Sequence, residues 1–168
     1  MSLVALGDSI TAAEDSWAQQ VARALGLACA SYAVNGAVVA HVLRKQLARV
    51  QPGHAVACLY AGVNDVRSPG FEAEAFERDL RLVAEGLAPR ADRLLMMTLP
   101  LRLGRPTAAP KPAVANAAVR RIAAATGATL CELDDLDGEN LLQPDLVHPT
   151  AAGQREIARR AGRALGIR

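Results

Sequence analysis

The sequence predicts an α/β fold, a three-layer α/β/α sandwich around a five-stranded parallel sheet. Five short apolar runs alternate with segments that carry apolar residues at helical spacing. This alternation implies crossover connections, and therefore parallel strands covered by helices on both faces. The 168 residues contain no repeat, linker or break in composition, so we expect a single domain over residues 1–168.

The predicted strands are mainly apolar runs, each followed by Gly, Asn, Pro or Asp. They span residues 2–6, 27–34, 55–61, 93–99 and 129–133. The third run is apolar almost throughout, which is typical of a strand buried on both faces. The pattern favours strand order 2-1-3-4-5, the flavodoxin-like order. That order separates Cys29 from Cys58 by about 9–10 Å, which is too far for a disulfide.

The predicted helices are marked by apolar residues three or four positions apart. They cover residues 17–25, 39–50, 76–87, 114–126 and 151–165. Ser16 and Thr150 are the expected caps of the first and last helices, and Trp17 is expected in the core. Residues 99–112, with four prolines, form the longest predicted loop, and 134–149 form an irregular acidic stretch.

The overall composition excludes several classes of function. The chain is 51% hydrophobic and 21% charged, as in globular proteins. Its net charge is only +2 and it has no basic run, so nucleic acid is not an expected partner. It has no charged leader and no apolar stretch of membrane-spanning length, from which we expect a cytoplasmic protein.

Four fragments point to a site at one edge of the sheet. Ser9, Gly36 and Asn64 follow the first three predicted strands, and His148 precedes the last helix. Because parallel strands all end at the same edge, these residues are expected to converge near the point where the strand order reverses.

These residue types suit nucleophilic attack on a carbonyl. A serine needs an adjacent base, and His148 is the best candidate. Asp145, three residues earlier, can fix the imidazole tautomer and stabilise the imidazolium. The expected donors to the tetrahedral oxyanion are the Ser9 backbone N–H, the Gly36 backbone and the Asn64 side-chain amide.

The fragments resemble the conserved blocks of the SGNH/GDSL family of serine hydrolases. The matching segments are Gly7-Asp8-Ser9, Asn35-Gly36, Gly62-x-Asn64-Asp65 and Asp145-x-x-His148-Pro149. The resemblance implies hydrolysis of a small-molecule ester through an acyl-enzyme on Ser9, with no metal or cofactor. Ile10 stands where the family has Leu, the chain is short for the family, and the G-x-S-x-G elbow of other esterases is absent.

Other residues are expected to support the site or to lie outside it. Asp8 and Asp65 are interpreted as site support. His41 and His54 are expected outside the site, one in a helix and the other before the third strand.

Three alternatives to an esterase remain open. They are an inactive binding module on the same fold, a thioesterase or lysophospholipase of the same family, and a phospho-acceptor that uses Asp8.

The substrate is the least constrained feature. Short loops and a proline-rich segment leave little room for a lid, so we expect acetyl to butyryl esters. Leu99, Leu101 and Leu146 are the expected lining of a shallow acyl pocket. Four cationic side chains follow strands three and four, and the sequence does not determine which of them contact the substrate. They are Arg67, Arg102, Arg105 and Lys111.

Overall fold

The computed structural model describes residues 1–104 and 110–167. Its five strands form one parallel sheet in the order β2-β1-β3-β4-β5, which confirms the predicted fold class and strand order. The strands are β1 (Ser2–Gly7), β2 (Ala28–Ser31), β3 (His54–Tyr60), β4 (Ala91–Met97) and β5 (Thr129–Cys131).

The helices lie in two layers on either side of this sheet. They are α1 (Ser9–Ala12), α2 (Trp17–Ala24), α3 (Val39–His41), α4 (Val63–Arg67), α5 (Ala73–Leu87), α6 (Pro110–Thr126) and α7 (Ala151–Ala164). The step from β1 to β2 runs opposite to every later step across the sheet. Right-handed crossovers therefore place α2 on one face, where it packs on α7, and place α5 and α6 together on the other.

Several predicted boundaries were wrong. Strand β2 has four residues, although Tyr32 and Val34 still donate backbone hydrogen bonds to Ala5 and Gly7 of β1. The helix predicted over 39–50 is divided into α3, a wider π-type turn over Val42–Gln46 and a tighter turn over Leu47–Arg49. Helix α6 begins at Pro110, inside the predicted loop, because proline is well tolerated in a first helical turn.

Two short helices, α1 and α4, were not predicted. Each begins directly after a strand end, at Ser9 and at Val63, in a segment interpreted from the sequence only as a turn. They are too short to show an apolar period. Arg105 and Pro106, in the predicted loop, lie outside the described residues.

The core and the edges agree with the sequence in other respects. Trp17 is fully buried, and β1 lies between the strands that carry Cys29 and Cys58. His54 begins β3 and its Nδ1 pairs with the Ser2 hydroxyl at 2.7 Å, at the sheet edge opposite the strand ends discussed above. Within residues 1–104 and 110–167, no helix combines the length and the apolarity needed to cross a bilayer.

Candidate active site

The turn after β1 fixes the position of Ser9. Gly7 ends the strand where a Cβ atom would collide with the Tyr60 carbonyl oxygen of β3, so only glycine fits there. Asp8 follows and caps α1, its Oδ1 accepting a hydrogen bond from the Ile10 N–H at 3.0 Å. Ser9 is therefore the first residue of a short helix at the carboxyl edge of the sheet.

Ser9, His148 and Asp145 form a continuous hydrogen-bonded chain. The Ser9 hydroxyl lies 2.9 Å from His148 Nε2, and His148 Nδ1 lies 2.5 Å from Asp145 Oδ2. A carboxylate can only accept, so Nδ1 carries the proton and Nε2 is the acceptor for the serine hydroxyl. The arrangement leaves the serine proton facing a basic nitrogen.

The loop that carries His148 is held by its own hydrogen bonds. Asp145 Oδ1 accepts from the backbone N–H groups of Val147 and His148, at 2.9 and 3.0 Å. Leu146, which lies between Asp145 and Val147 in the sequence, has a φ of 58°, a conformation that few non-glycine residues adopt. Its carbonyl accepts from the Gly104 N–H at 2.9 Å, which anchors the loop to the segment after β4.

The turn after β2 and helix α4 lie at the same edge of the sheet as Ser9 and are joined to each other by hydrogen bonds. Gly36 has a φ of 76°, which favours glycine, and is exposed. Asn64 Nδ2 donates to the Ala37 carbonyl at 3.0 Å, and the Asp65 carboxylate accepts from the Val39 N–H at 3.1 and 3.2 Å. Among the described residues, neither the Ser9 nor the Gly36 backbone N–H has a protein acceptor, and one Asn64 amide hydrogen also remains.

A comparison with protein families identifies the family of this chain. A family model described as "GDSL-like Lipase/Acylhydrolase family" matches residues 5–156, a range that includes Ser9, Asp145 and His148. The chain belongs to this family. It is therefore a hydrolase that acts on ester bonds. A comparison with curated proteins found no significant relative by sequence.

Solved structures resemble this GDSL-family hydrolase over nearly its whole length. An α/β hydrolase enzyme from the metagenome of Lake Arreo, Spain, matches with a TM-score of 0.86 at 20% identity, covering 99% of this chain and 95% of the other. An acetylxylan esterase from Geobacillus stearothermophilus matches with a TM-score of 0.78 at 20% identity, covering 99% and 94%. At these identities the similarity establishes the fold.

Three carboxylates at the site of the GDSL-family hydrolase have shifted pKa values. Burial raises the pKa of Asp8 to about 6, against the opposing effect of the Ile10 N–H bond. Burial likewise raises the pKa of Asp65 to about 6, against the hydrogen bond from Val39. Burial also disfavours ionisation of Asp145, but hydrogen bonds from the His148 side chain and from two backbone N–H groups outweigh it and lower its pKa to about 2. Asp145 is therefore the residue of the three that stays ionised in acid.

Two buried glutamines brace the Ser9 turn of the GDSL-family hydrolase, and the sequence analysis did not identify them. Gln46 accepts from the Gly7 N–H at 2.9 Å and donates to the Gly7 carbonyl at 2.8 Å. Gln154 accepts from the Trp17 N–H and donates to the Ile10 carbonyl, which ties α7 to α1 and α2. Each glutamine stands at helical spacing from apolar core residues, a pattern that places a polar side chain on the buried face.

A cleft of about 360 Å³ adjoins the His148 loop of the GDSL-family hydrolase, and we call it the cationic cleft. Its lining includes Val66, Arg67, Leu103, Gly104, Lys111 and Pro112. Two of the four cations left open by the sequence thus share one cleft. Arg102 instead forms an ion pair with Asp137 at 2.7 Å, and Arg105 lies outside the described residues.

The prediction that Leu99 lines an acyl pocket was wrong. Leu99 is fully buried, and a Cβ placed on Gly62 would lie 3.3 Å from its Cδ1, so this side chain belongs to the core. The strand predicted over 93–99 ends at Met97, and Leu99, expected at its exposed end, is covered by the core.

Proposed function

We propose that the protein is a serine esterase that cleaves short-chain acyl esters through a covalent acyl-enzyme on Ser9. The observation that carries this proposal is the hydrogen-bonded chain from the Ser9 hydroxyl through His148 to Asp145, with distances of 2.9 and 2.5 Å. In this arrangement His148 is the general base and Asp145 orients it.

Acylation follows from these positions. The Ser9 oxygen attacks the acyl carbon while its proton moves to His148 Nε2. The negative charge that develops on the carbonyl oxygen is met by the backbone N–H groups of Ser9 and Gly36 and by the free amide hydrogen of Asn64. When the tetrahedral intermediate breaks down, His148 returns the proton to the leaving alcohol oxygen, and the acyl group stays on Ser9.

Deacylation uses the same groups with water in place of the alcohol. His148 takes a proton from water, the hydroxide oxygen attacks the acyl carbon, and Ser9 leaves as the proton returns to its oxygen. Asp145 remains ionised throughout, consistent with its lowered pKa. Asp8 and Asp65 act as support: Asp8 caps the helix that begins with Ser9, and Asp65 holds the segment after Gly36.

Variants of the structural neighbour support the same assignment. The acetylxylan esterase from Geobacillus stearothermophilus has catalytic mutants at a serine, an aspartate and a histidine. The mutated aspartate and histidine lie three positions apart, as Asp145 and His148 do here. Its acetyl substrate also agrees with the preference for short acyl groups that we propose for this chain.

Replacing the nucleophile tests the proposal. We expect Ser9→Ala to lower kcat on 4-nitrophenyl acetate by about 10⁴-fold or more, because no other group can form the acyl-enzyme. The variant should keep the circular dichroism spectrum of the wild type, since Ser9 is a partly buried surface residue at a helix start. A folded variant that retained about a tenth of the activity would contradict the assignment of Ser9.

A further inference from the structure

The cationic cleft contains two positively charged side chains. Arg67 and Lys111 both line it, and the described part of its lining includes no Asp or Glu. Among the described residues Arg67 forms no ion pair, whereas Arg102, Arg120 and Arg121 each pair with an acidic side chain. In the sequence, the stretch 105–109 reads Arg-Pro-Thr-Ala-Ala and has no acidic residue.

Lys111 is fixed in this cleft by a neutral partner. Its ammonium donates to the Ser68 carbonyl at 2.8 Å, directly after the helix that carries Arg67. This bond positions the ammonium but does not neutralise it. The side chain is also half-buried, so its charge is less screened by solvent than that of a freely exposed lysine.

The cleft is next to both halves of the site. Asn64 and Arg67 are three residues apart on α4, and side chains at this spacing lie on the same side of a helix. A Cβ placed on Gly104 would lie 3.8 Å from Arg67 Nε and 3.3 Å from a methyl group of Val147, which immediately precedes His148. Gly104 also donates to Leu146 of the same loop.

The position relative to His148 indicates which part of an ester enters the cleft. In the proposed mechanism, on which this inference rests, His148 returns its proton to the leaving oxygen. The alcohol part therefore lies on the side of the His148 loop, and the cationic cleft is on that side.

We propose that the cationic cleft binds an anionic group, a carboxylate or a phosphate, carried by the alcohol part of the ester. Arg67 pairs with this anion, since a guanidinium presents two parallel N–H groups that match two oxygens of either group. Lys111 adds a second positive charge that attracts it. The enzyme then prefers acetates of alcohols that carry a carboxylate or a phosphate over acetates of uncharged alcohols of the same size.

Matched acetates test this preference. The substrates are 4-acetoxybenzoate and 4-acetoxyphenyl phosphate, with neutral 4-acetoxybenzamide as reference, and kcat/KM is measured for wild type, Arg67→Gln and Arg102→Gln. We expect Arg67→Gln to lower the anionic-to-neutral ratio of kcat/KM by about tenfold, as for loss of a charge-assisted pair. Arg102→Gln is the matched control, because Arg102 pairs with Asp137 and lies outside the cleft; its ratios should equal those of the wild type. The larger of the two wild-type ratios identifies the preferred anion.

Salt and the acyl side provide two further readouts. Raising the ionic strength from about 0.02 to 0.5 M should lower the wild-type ratio but leave that of Arg67→Gln nearly constant, since salt screens the charge. Mono(4-nitrophenyl) succinate, with its anion on the acyl side, should show no dependence on Arg67 relative to 4-nitrophenyl butyrate.

Equal losses on anionic and neutral acetates, unchanged ratios, or a dependence confined to the succinate would each overturn the inference. Failure of the proposed function is distinguishable, because Ser9→Ala would then hydrolyse the neutral acetate as fast as wild type.

Discussion

At the scale of single residues, the site contains carboxylates in opposite environments. Asp145 is partly exposed and receives hydrogen bonds from His148 and from two backbone N–H groups, so its pKa is lowered to about 2. Asp8 is 1% exposed, and its Oδ2 has no partner among the described residues, so burial raises its pKa to about 6. We therefore expect removal of Asp145 to affect catalysis and replacement of Asp8 to affect the pH dependence of stability.

Asp145 and His148 should differ in the cost of their removal. We expect His148→Ala to lower kcat nearly as much as Ser9→Ala, because His148 carries the proton. Asp145→Ala should cost about tenfold to a hundredfold less, and the double variant should be no worse than His148→Ala alone, because the two residues act as a unit. Steady-state kinetics on 4-nitrophenyl acetate measure all three variants. Additive losses in the double variant would show that Asp145 does not act through His148.

The buried carboxyl of Asp8 should make stability depend on pH. Its folded pKa of about 6 lies above the ordinary value of 3.8, so the folded state holds a proton that the unfolded state releases between these values. Stability is therefore lost as pH rises through this window and stays low above it. We expect Asp8→Asn, which resembles the neutral carboxyl, to raise the free energy of unfolding at pH 8 by about 3 kcal/mol.

The control for this effect is the same comparison at low pH. At pH 4 the wild-type carboxyl is protonated in the folded state, so the variant should gain almost nothing. Urea denaturation of both proteins at the two pH values measures the difference. Asp65 titrates in both proteins, and its charge also contributes to the raised pKa of Asp8, so the comparison measures the burial of Asp8 together with this repulsion. A gain of the same size at pH 4 and pH 8 would contradict the account of Asp8.

At the scale of elements, the Ser9 turn depends on a glutamine from the irregular helical segment after β2. The turn of Val42–Gln46 is wider than an α-helical turn, and its last residue is buried against Gly7. The Gln46 side chain satisfies both the N–H and the carbonyl of Gly7, two residues before the proposed nucleophile. Wide turns of this type often lie at functional sites, and this one contributes a polar side chain to the sheet edge.

Removing this glutamine should affect both stability and activity. We expect Gln46→Leu to lower the free energy of unfolding by about 2 kcal/mol, because the buried Gly7 N–H loses its partner. The kcat should also fall, since the turn that positions Ser9 is loosened. Gln20→Leu is the matched control: the Gln20 side chain donates to the exposed Asp15 carbonyl, so its loss should cost little. Urea denaturation and initial rates measure both effects, and equal behaviour of the two variants would contradict this role.

At the scale of the whole molecule, the sequence predicted the sheet and the contact between Ser9 and His148, because both follow from periodicity and strand ends. The strand order placed Ser9, Gly36 and Asn64 at one edge, and the structure brings Ser9 to His148 there. The sequence did not predict the role of Gln46 in holding Gly7, or the division of the helix over 39–50, because both depend on contacts with β1. The burial of Leu99 was also missed, since an apolar run does not show where a chain turns inward.

The short loops around the site lead to a prediction about the acyl group. Helices α1 and α4 follow their strands with almost no intervening loop, and the described residues around Ser9 include no long insertion that could cover an acyl chain. Each buried CH₂ would contribute about 0.8 kcal/mol in an enclosed channel, a gain that an open site does not provide. We expect kcat/KM on 4-nitrophenyl esters from two to twelve acyl carbons to be highest at four or fewer. A maximum at eight or more would require an acyl channel that this account does not contain.

The most direct test of the central claim is covalent labelling of the nucleophile. A fluorophosphonate reacts with an activated serine hydroxyl and leaves a stable adduct, which mass spectrometry can count and assign to a peptide. We predict one adduct per chain on Ser9, none on Ser9→Ala, and greatly slowed labelling of His148→Ala, because the base is then missing. Stoichiometric labelling of Ser9→Ala, or an adduct of the wild type on any residue other than Ser9, would contradict the assignment of Ser9 as the nucleophile.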